Sequence, residues 1–131
     1  MTQYLSTEIL REQLEAIGFV VRDHGLFASC VERAAVTLYG QDAYPSLEHK
    51  AAAILESFVK NHPMIDGNKR SGWLSANMFL DINDVDVVCS HDDAFNFILA
   101  IATGQREFED IVSWLSARTK ALPRPENRPR G

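Results

Sequence analysis

The sequence predicts an all-α fold, a single compact bundle of about six helices. Apolar residues recur at three- and four-residue spacing through nearly the whole chain, the period of helices that bury one face. Stops and starts of recognisable chemistry separate these stretches. The chain has 131 residues and no internal repeat, which fits one domain whose core needs neither metal nor disulfide to hold it.

Leu10, Leu14 and Ile17 make the first stripe, and Gly18 ends it. Phe27, Cys30, Val31 and Ala34 make the second, with Asp23 placed to cap its start. Residues 35–45 read as a loop, because Pro45 holds Tyr44 out of the helical region. Ser46 then caps a long helix with Leu47, Ala51, Ile54, Leu55 and Phe58 on one face, closed by Pro63. A short loop, 63–67, leads into a helix whose Trp73, Ala76 and Leu80 share a face, ended by Asn83 and Asp84. Residues 85–88 are β-branched and fit a short extended segment. Ser90 caps the next helix, with Phe95, Ile98, Leu99 and Ala102 expected inward and Gly104 as its stop. Phe108, Ile111, Val112 and Leu115 define the last helix. The helical domain is therefore assigned to 1–122. The tail, 123–131, holds three prolines and three arginines, and is expected to be disordered because it has too little apolar area to bury.

The net charge of −5 is uneven. Residues 118–131 carry five basic residues and one acidic, which leaves 8 basic against 17 acidic residues in 1–117, a net of −9. Such a body lacks the basic face that general nucleic-acid binding needs. Three of its eight cations, Lys60, Lys69 and Arg70, nevertheless fall within eleven positions. Cys30 and Cys89 form no C-x-x-C pair and read as free thiols of a reducing compartment. No apolar run reaches the roughly 20 residues of a membrane helix. Residues 1–11 show no secretion signal, so a cytoplasmic protein is expected.

Chemistry concentrates in His-Pro-Met-Ile-Asp-Gly-Asn-Lys-Arg, residues 62–70. His62 stands at the end of the long helix, four residues after Phe58, and is expected on that helix's apolar side, pointing into a seam. Asn68, Lys69 and Arg70 occupy the first turn of the next helix, where unpaired N–H groups and the helix dipole suit phosphate. Gly67 lets a ligand approach the backbone. Lys69 and Arg70 add formal charge, and Arg can fork onto phosphate oxygens. Asp66 is a hard oxygen ligand suited to magnesium that carries phosphates. Histidine is the one side chain of the cluster suited to act as a base near neutral pH.

Each residue alone has a plainer role: a helix-end histidine, an N-cap aspartate, a turn glycine, two solvated cations. Nine consecutive residues bridging two helices, with a base, a metal ligand, a flexible turn and two cations together, favour a functional site. Lys60, two before His62, could meet phosphate or target, or serve as a cation at a helix C-terminus. His24, His49 and His91 share no metal-ligand spacing, and Asp81, Asp84, Asp86, Asp92 and Asp93 read as a solvated acidic face.

The stretch 62–70 resembles the signature of the Fic/Doc superfamily, His-x-Phe-x-(Asp/Asn/Glu)-(Gly/Ala)-Asn-x-Arg. Lys69 is similar to the death-on-curing (Doc) branch; AMP-transferring Fic proteins usually have Gly there and a second Arg where this chain has Trp73. Flanking residues 23–33, 44–46 and 50–53 also look like Doc segments, so the resemblance covers roughly 20–117. It implies a general base at His62 and magnesium on Asp66. It further implies phosphates positioned by Asn68 and the backbone at Gly67 and clamped by Arg70, with Lys69 turning the nucleotide so that its γ-phosphate faces the target. The implied reaction is ATP-dependent phosphorylation of a protein hydroxyl, with elongation factor Tu as the Doc target and growth arrest as the outcome. The implied partner is a small antitoxin whose C-terminal segment folds onto the toxin. The loop 39–45 corresponds to a flap that aligns target peptide, or is a plain connector. The motif departs at Met64, where Phe is usual; Met fills gaps more loosely, which bears on rate more than fold. The rival readings are an AMP transferase on the same fold and a catalytically silent helical binding module.

Overall fold

The computed structural model describes residues 1–123. The tail expected at 123–131 lies outside the described residues apart from Pro123. Six helices carry the fold: α1 (Thr7–Ala16), α2 (His24–Glu32), α3 (Leu47–Asn61), α4 (Asn68–Asp81), α5 (His91–Ala102) and α6 (Phe108–Ser116). Four starts are capped by the side chains of Ser6, Asp23, Ser46 and Ser90, each accepting a backbone N–H three residues on. Glu107 and Asp110 form a reciprocal capping box at α6.

Helix α3 is the central element and packs against α2, α4, α5 and α6. The small side chains of Ala51, Ala52 and Ala53 let its neighbours close in, and all three are fully buried. At the α3–α4 crossing, a β-carbon on Gly72 would lie 2.7 Å from Phe58 Cβ, so the two backbones approach more closely than any larger residue permits. This crossing fixes the C-terminus of α3 beside the N-terminus of α4. Behind it, Phe97 and Trp114 stack with ring centroids 3.8 Å apart, and Trp73 meets both edge-on.

Two short antiparallel ribbons complete the chain. Strand β1 (Thr37–Leu38) pairs with β2 (Gln41–Asp42), and β3 (Val85–Val87) pairs with β4 (Thr119–Ala121). The extended segment expected at 85–88 is thus a strand, whereas β4 had no signal in its sequence.

Four expectations are corrected. Ile17 is exposed, because α1 ends at Ala16 and Gly18 (φ 102°) turns the chain away. Residues 35–45 are not an irregular loop throughout: Tyr39 and Gly40 both adopt positive φ, the turn that suits a two-residue hairpin. On α5, Ile98 is buried as expected, but Phe95, Leu99 and Ala102 face outward, and Ala94, Phe97 and Ile101 are buried in their place. That helix is apolar on nearly every side, so two stripes fit its period, and the stack of Phe97 on Trp114 selects the inner one. His62, finally, does not continue the apolar side of α3. It is the left-handed cap of the helix (φ 55°, ψ 61°), which swings its side chain off that face and leaves it exposed.

Candidate active site

The loop between α3 and α4 is built by bonds that few of its own residues supply. Asn68 reaches back across the turn: Met64 N donates to its Oδ1 at 2.8 Å, and its Nδ2 donates to Met64 O at 3.1 Å. Met64 is buried beneath the loop and bridges to Val21 in a strand-like pair. Residues 20–22 form an outer strap. Ile65 N donates to Val20 O at 2.9 Å, and Arg22 N to Pro63 O at 2.8 Å. The Arg22 guanidinium then forks onto the His62 carbonyl, with Nε at 3.0 Å and Nη2 at 2.6 Å. A non-glycine residue in the left-handed region costs about 1–2 kcal/mol, and this clamp holds His62 there.

Gly67 caps α4 in the same left-handed region (φ 71°) and gives no side-chain cap to its first turn. A β-carbon at Gly67 would fall 2.6 Å from the Phe19 ring, so Phe19 packs flush under the turn. Arg70 lies over the same ring at 5.5 Å. Asp66 Oδ1 accepts from Gly67 N at 2.8 Å. Its exposed carboxylate keeps a second oxygen for a cation. Among the described residues no cluster of three or more His, Cys, Asp or Glu could cage a metal. A single carboxylate next to a phosphate site nonetheless fits magnesium, which keeps several waters and shares its ligands with phosphate.

These elements enclose an open cleft of about 560 Å³. Lys60, His62, Asp66, Gly67, Asn68, Lys69 and Arg70, the residues singled out from sequence, all line it. Lys60 also reaches Glu56 Oε2 at 3.4 Å across one turn of α3. The arrangement combines an imidazole, an uncapped helix N-terminus, three cations and one carboxylate, which suits binding and transfer at a phosphate.

Sequence reading missed the supports. Arg22 and Phe19 hold the loop as described. Arg33 ties the β1–β2 hairpin to α3: it donates to Tyr44 Oη at 2.8 Å, Glu56 Oε1 at 3.0 Å and Ser57 Oγ at 3.0 Å. Lys50, 1% exposed, places its ammonium on Asp42 at 3.1 Å and on the Tyr44 carbonyl. Lys50 was detectable, since a lysine among Leu47, Ala51 and Ile54 puts charge on a core face, where it needs a partner.

A helical domain with a cleft at a helix junction, lined by cations and an uncapped helix N-terminus, is the architecture the chain presents. A sequence profile described as the Fic/DOC family matches residues 2–80, and the chain belongs to this family. A curated protein named Toxin Doc, from Mycolicibacterium smegmatis (strain ATCC 700084 / mc(2)155), is 40% identical over 121 residues, covering 88% of this chain and 93% of that protein. Among the described residues no helix is long and apolar enough to cross a membrane.

Proposed function

We propose that this protein is the toxin of a toxin–antitoxin pair and acts as a protein kinase that uses ATP. The single observation that carries this reading is the convergence of His62, Asp66, Lys69 and Arg70 on one cleft at the uncapped start of α4, in a chain similar to a protein named Toxin Doc.

In this reading the γ-phosphate sits at the first turn of α4, held by its N–H groups and the Arg70 fork. Asn68 acts mainly by fixing the loop that shapes that site. His62 accepts the proton of a target hydroxyl. The hydroxyl oxygen forms a bond to the γ-phosphorus, the bond from phosphorus to the β–γ bridging oxygen breaks, and ADP departs with that electron pair. Asp66 would hold magnesium, which neutralises phosphate charge when bound. Lys69 and Lys60 complement the remaining phosphates from the two walls. The β1–β2 hairpin, fastened by Lys50 and Arg33, is the edge against which the target segment lies.

Transfer of the γ-phosphoryl group rather than of AMP is favoured by Trp73. It occupies the position of a second phosphate-binding Arg, and its ring is committed to Phe97 and Trp114 at 6.4 and 6.2 Å. By family resemblance the target is elongation factor Tu, the setting is the cytoplasm, and the antitoxin is a small protein whose C-terminal segment folds on the toxin. Induced expression in bacteria tests this. The wild-type chain should arrest growth, and His62→Ala at equal abundance should not. Unimpeded growth with both would contradict the toxin reading.

A further inference from the structure

A carboxylate on α3 joins the His62 cleft to the β1–β2 hairpin. The side chain of Glu56 is 13% exposed, and its two oxygens serve different partners. Oε1 accepts from Arg33 Nη1 at 3.0 Å, and Oε2 accepts from Lys60 Nζ at 3.4 Å. Arg33 carries the contact on to the end of the hairpin, where its Nε donates to Tyr44 Oη at 2.8 Å. Lys60 carries it to the cleft, which it lines together with His62. The two links differ in strength. The Arg33 side is firm, because the guanidinium also bonds Ser57 Oγ at 3.0 Å and lies over the Tyr44 and Phe108 rings. The Lys60 side is loose: its side chain is 46% exposed, its contact is long, and such pairs on a helix surface add little. An anion in the cleft can therefore draw Lys60 away at small cost. The Glu56 carboxylate is then no longer shared with Lys60 and attracts the Arg33 guanidinium more strongly.

We propose that Glu56 is a positioning residue through which phosphate bound in the His62 cleft firms the β1–β2 hairpin. This rests on the reading of the cleft as a phosphate site and extends it to a residue outside the cleft lining. Glu56 touches no reacting atom; it acts through Lys60 on one side and Arg33 on the other. Lys50 anchors the same hairpin at Asp42 and Tyr44 from a fully buried position, so that anchor is indifferent to the ligand. The Arg33 anchor is the one that responds. The hairpin is therefore firmest when phosphates are loaded, and a target segment meets a formed edge in the loaded enzyme.

Hydrogen-exchange mass spectrometry of the full chain, free and saturated with inorganic tripolyphosphate and magnesium, tests this. In the wild type, binding should slow exchange across 37–42 by at least about 5-fold. Glu56→Gln keeps the shape of the side chain and removes its charge. This variant should lose the slowing, while calorimetry finds tripolyphosphate bound as tightly as by the wild type or up to ~5-fold more tightly, because no carboxylate holds Lys60 back. Lys60→Met, at an exposed position, should lose the slowing from the other end of the chain of contacts at saturating ligand, so the test does not depend on one variant folding. A residue that only supports the fold would change hairpin exchange equally with and without ligand. Hairpin exchange that is unchanged or faster on binding in the wild type, or a slowing that survives either variant, would overturn the coupling while leaving the phosphate cleft intact. Absence of tripolyphosphate binding by the wild type would overturn the phosphate reading itself, and this inference with it.

Discussion

Replacing His62 with glycine should make the protein more stable while abolishing its activity. His62 sits at φ 55°, ψ 61°, and its imidazole makes no hydrogen bond among the described residues; the Arg22 bonds go to its carbonyl, which glycine retains. Relief of the left-handed penalty returns about 1–2 kcal/mol. The greater freedom of glycine in the unfolded chain takes back about 0.5–1 kcal/mol. The net gain is about 0–1.5 kcal/mol, centred on ~0.7 kcal/mol, which corresponds to a rise in Tm of roughly 3 °C for a domain of this size. Thermal unfolding followed by circular dichroism reads the first half of the prediction, and phosphoryl transfer to a lysate reads the second. A Tm that falls by more than a degree or two would contradict relief of strain at His62. It would mean that the imidazole has packing or bonding that stabilises the fold, and that no strain is held at this position. A gain in stability with loss of transfer would show that a less favourable backbone conformation is retained for function.

Arg22→Ala removes the fork on the His62 carbonyl. At this exposed site it should cost about 1 kcal/mol of stability and lower transfer by roughly 10- to 100-fold through misplacement of His62; parallel melting and transfer assays measure both. Lys50→Met keeps the volume of a fully buried side chain but releases the hairpin at Asp42 and Tyr44. Amide exchange across 37–42 should accelerate at least about tenfold while α3 stays protected, as hydrogen-exchange mass spectrometry would show. Burial pushes the Cys30 thiol up to about 11. Only about one Cys30 thiol in a thousand is then a thiolate at pH 8. Alkylation by iodoacetamide should therefore be slow until the protein unfolds, and in the folded protein should speed up with pH through 10.

The helices were legible because their period, caps and stops agree: Ser46 and Ser90 marked the starts of α3 and α5, and Gly18 and Gly104 marked ends. Where a helix is apolar all round, as α5 is, period alone leaves its inner face open, and only the partner ring of Trp114 settles it. The cleft was legible because its residues are nearly contiguous and a helix junction gathers them. Its supports were not, since Arg22 and Phe19 reach it from forty or more positions upstream through pairings that leave no local pattern. The left-handed cap at His62 escaped for a related reason. Helical extrapolation from Phe58 assumes a backbone that Pro63 and the Arg22 clamp do not allow.

In the proposed function the cleft presents the γ-phosphate of ATP to a protein hydroxyl. ATP labelled separately on its γ- and α-phosphates, incubated with magnesium, the purified protein and a bacterial lysate, tests this most directly. Protein-bound label is expected from the γ-position alone, lost with His62→Ala. Label from the α-position would contradict it and assign the cleft to AMP transfer.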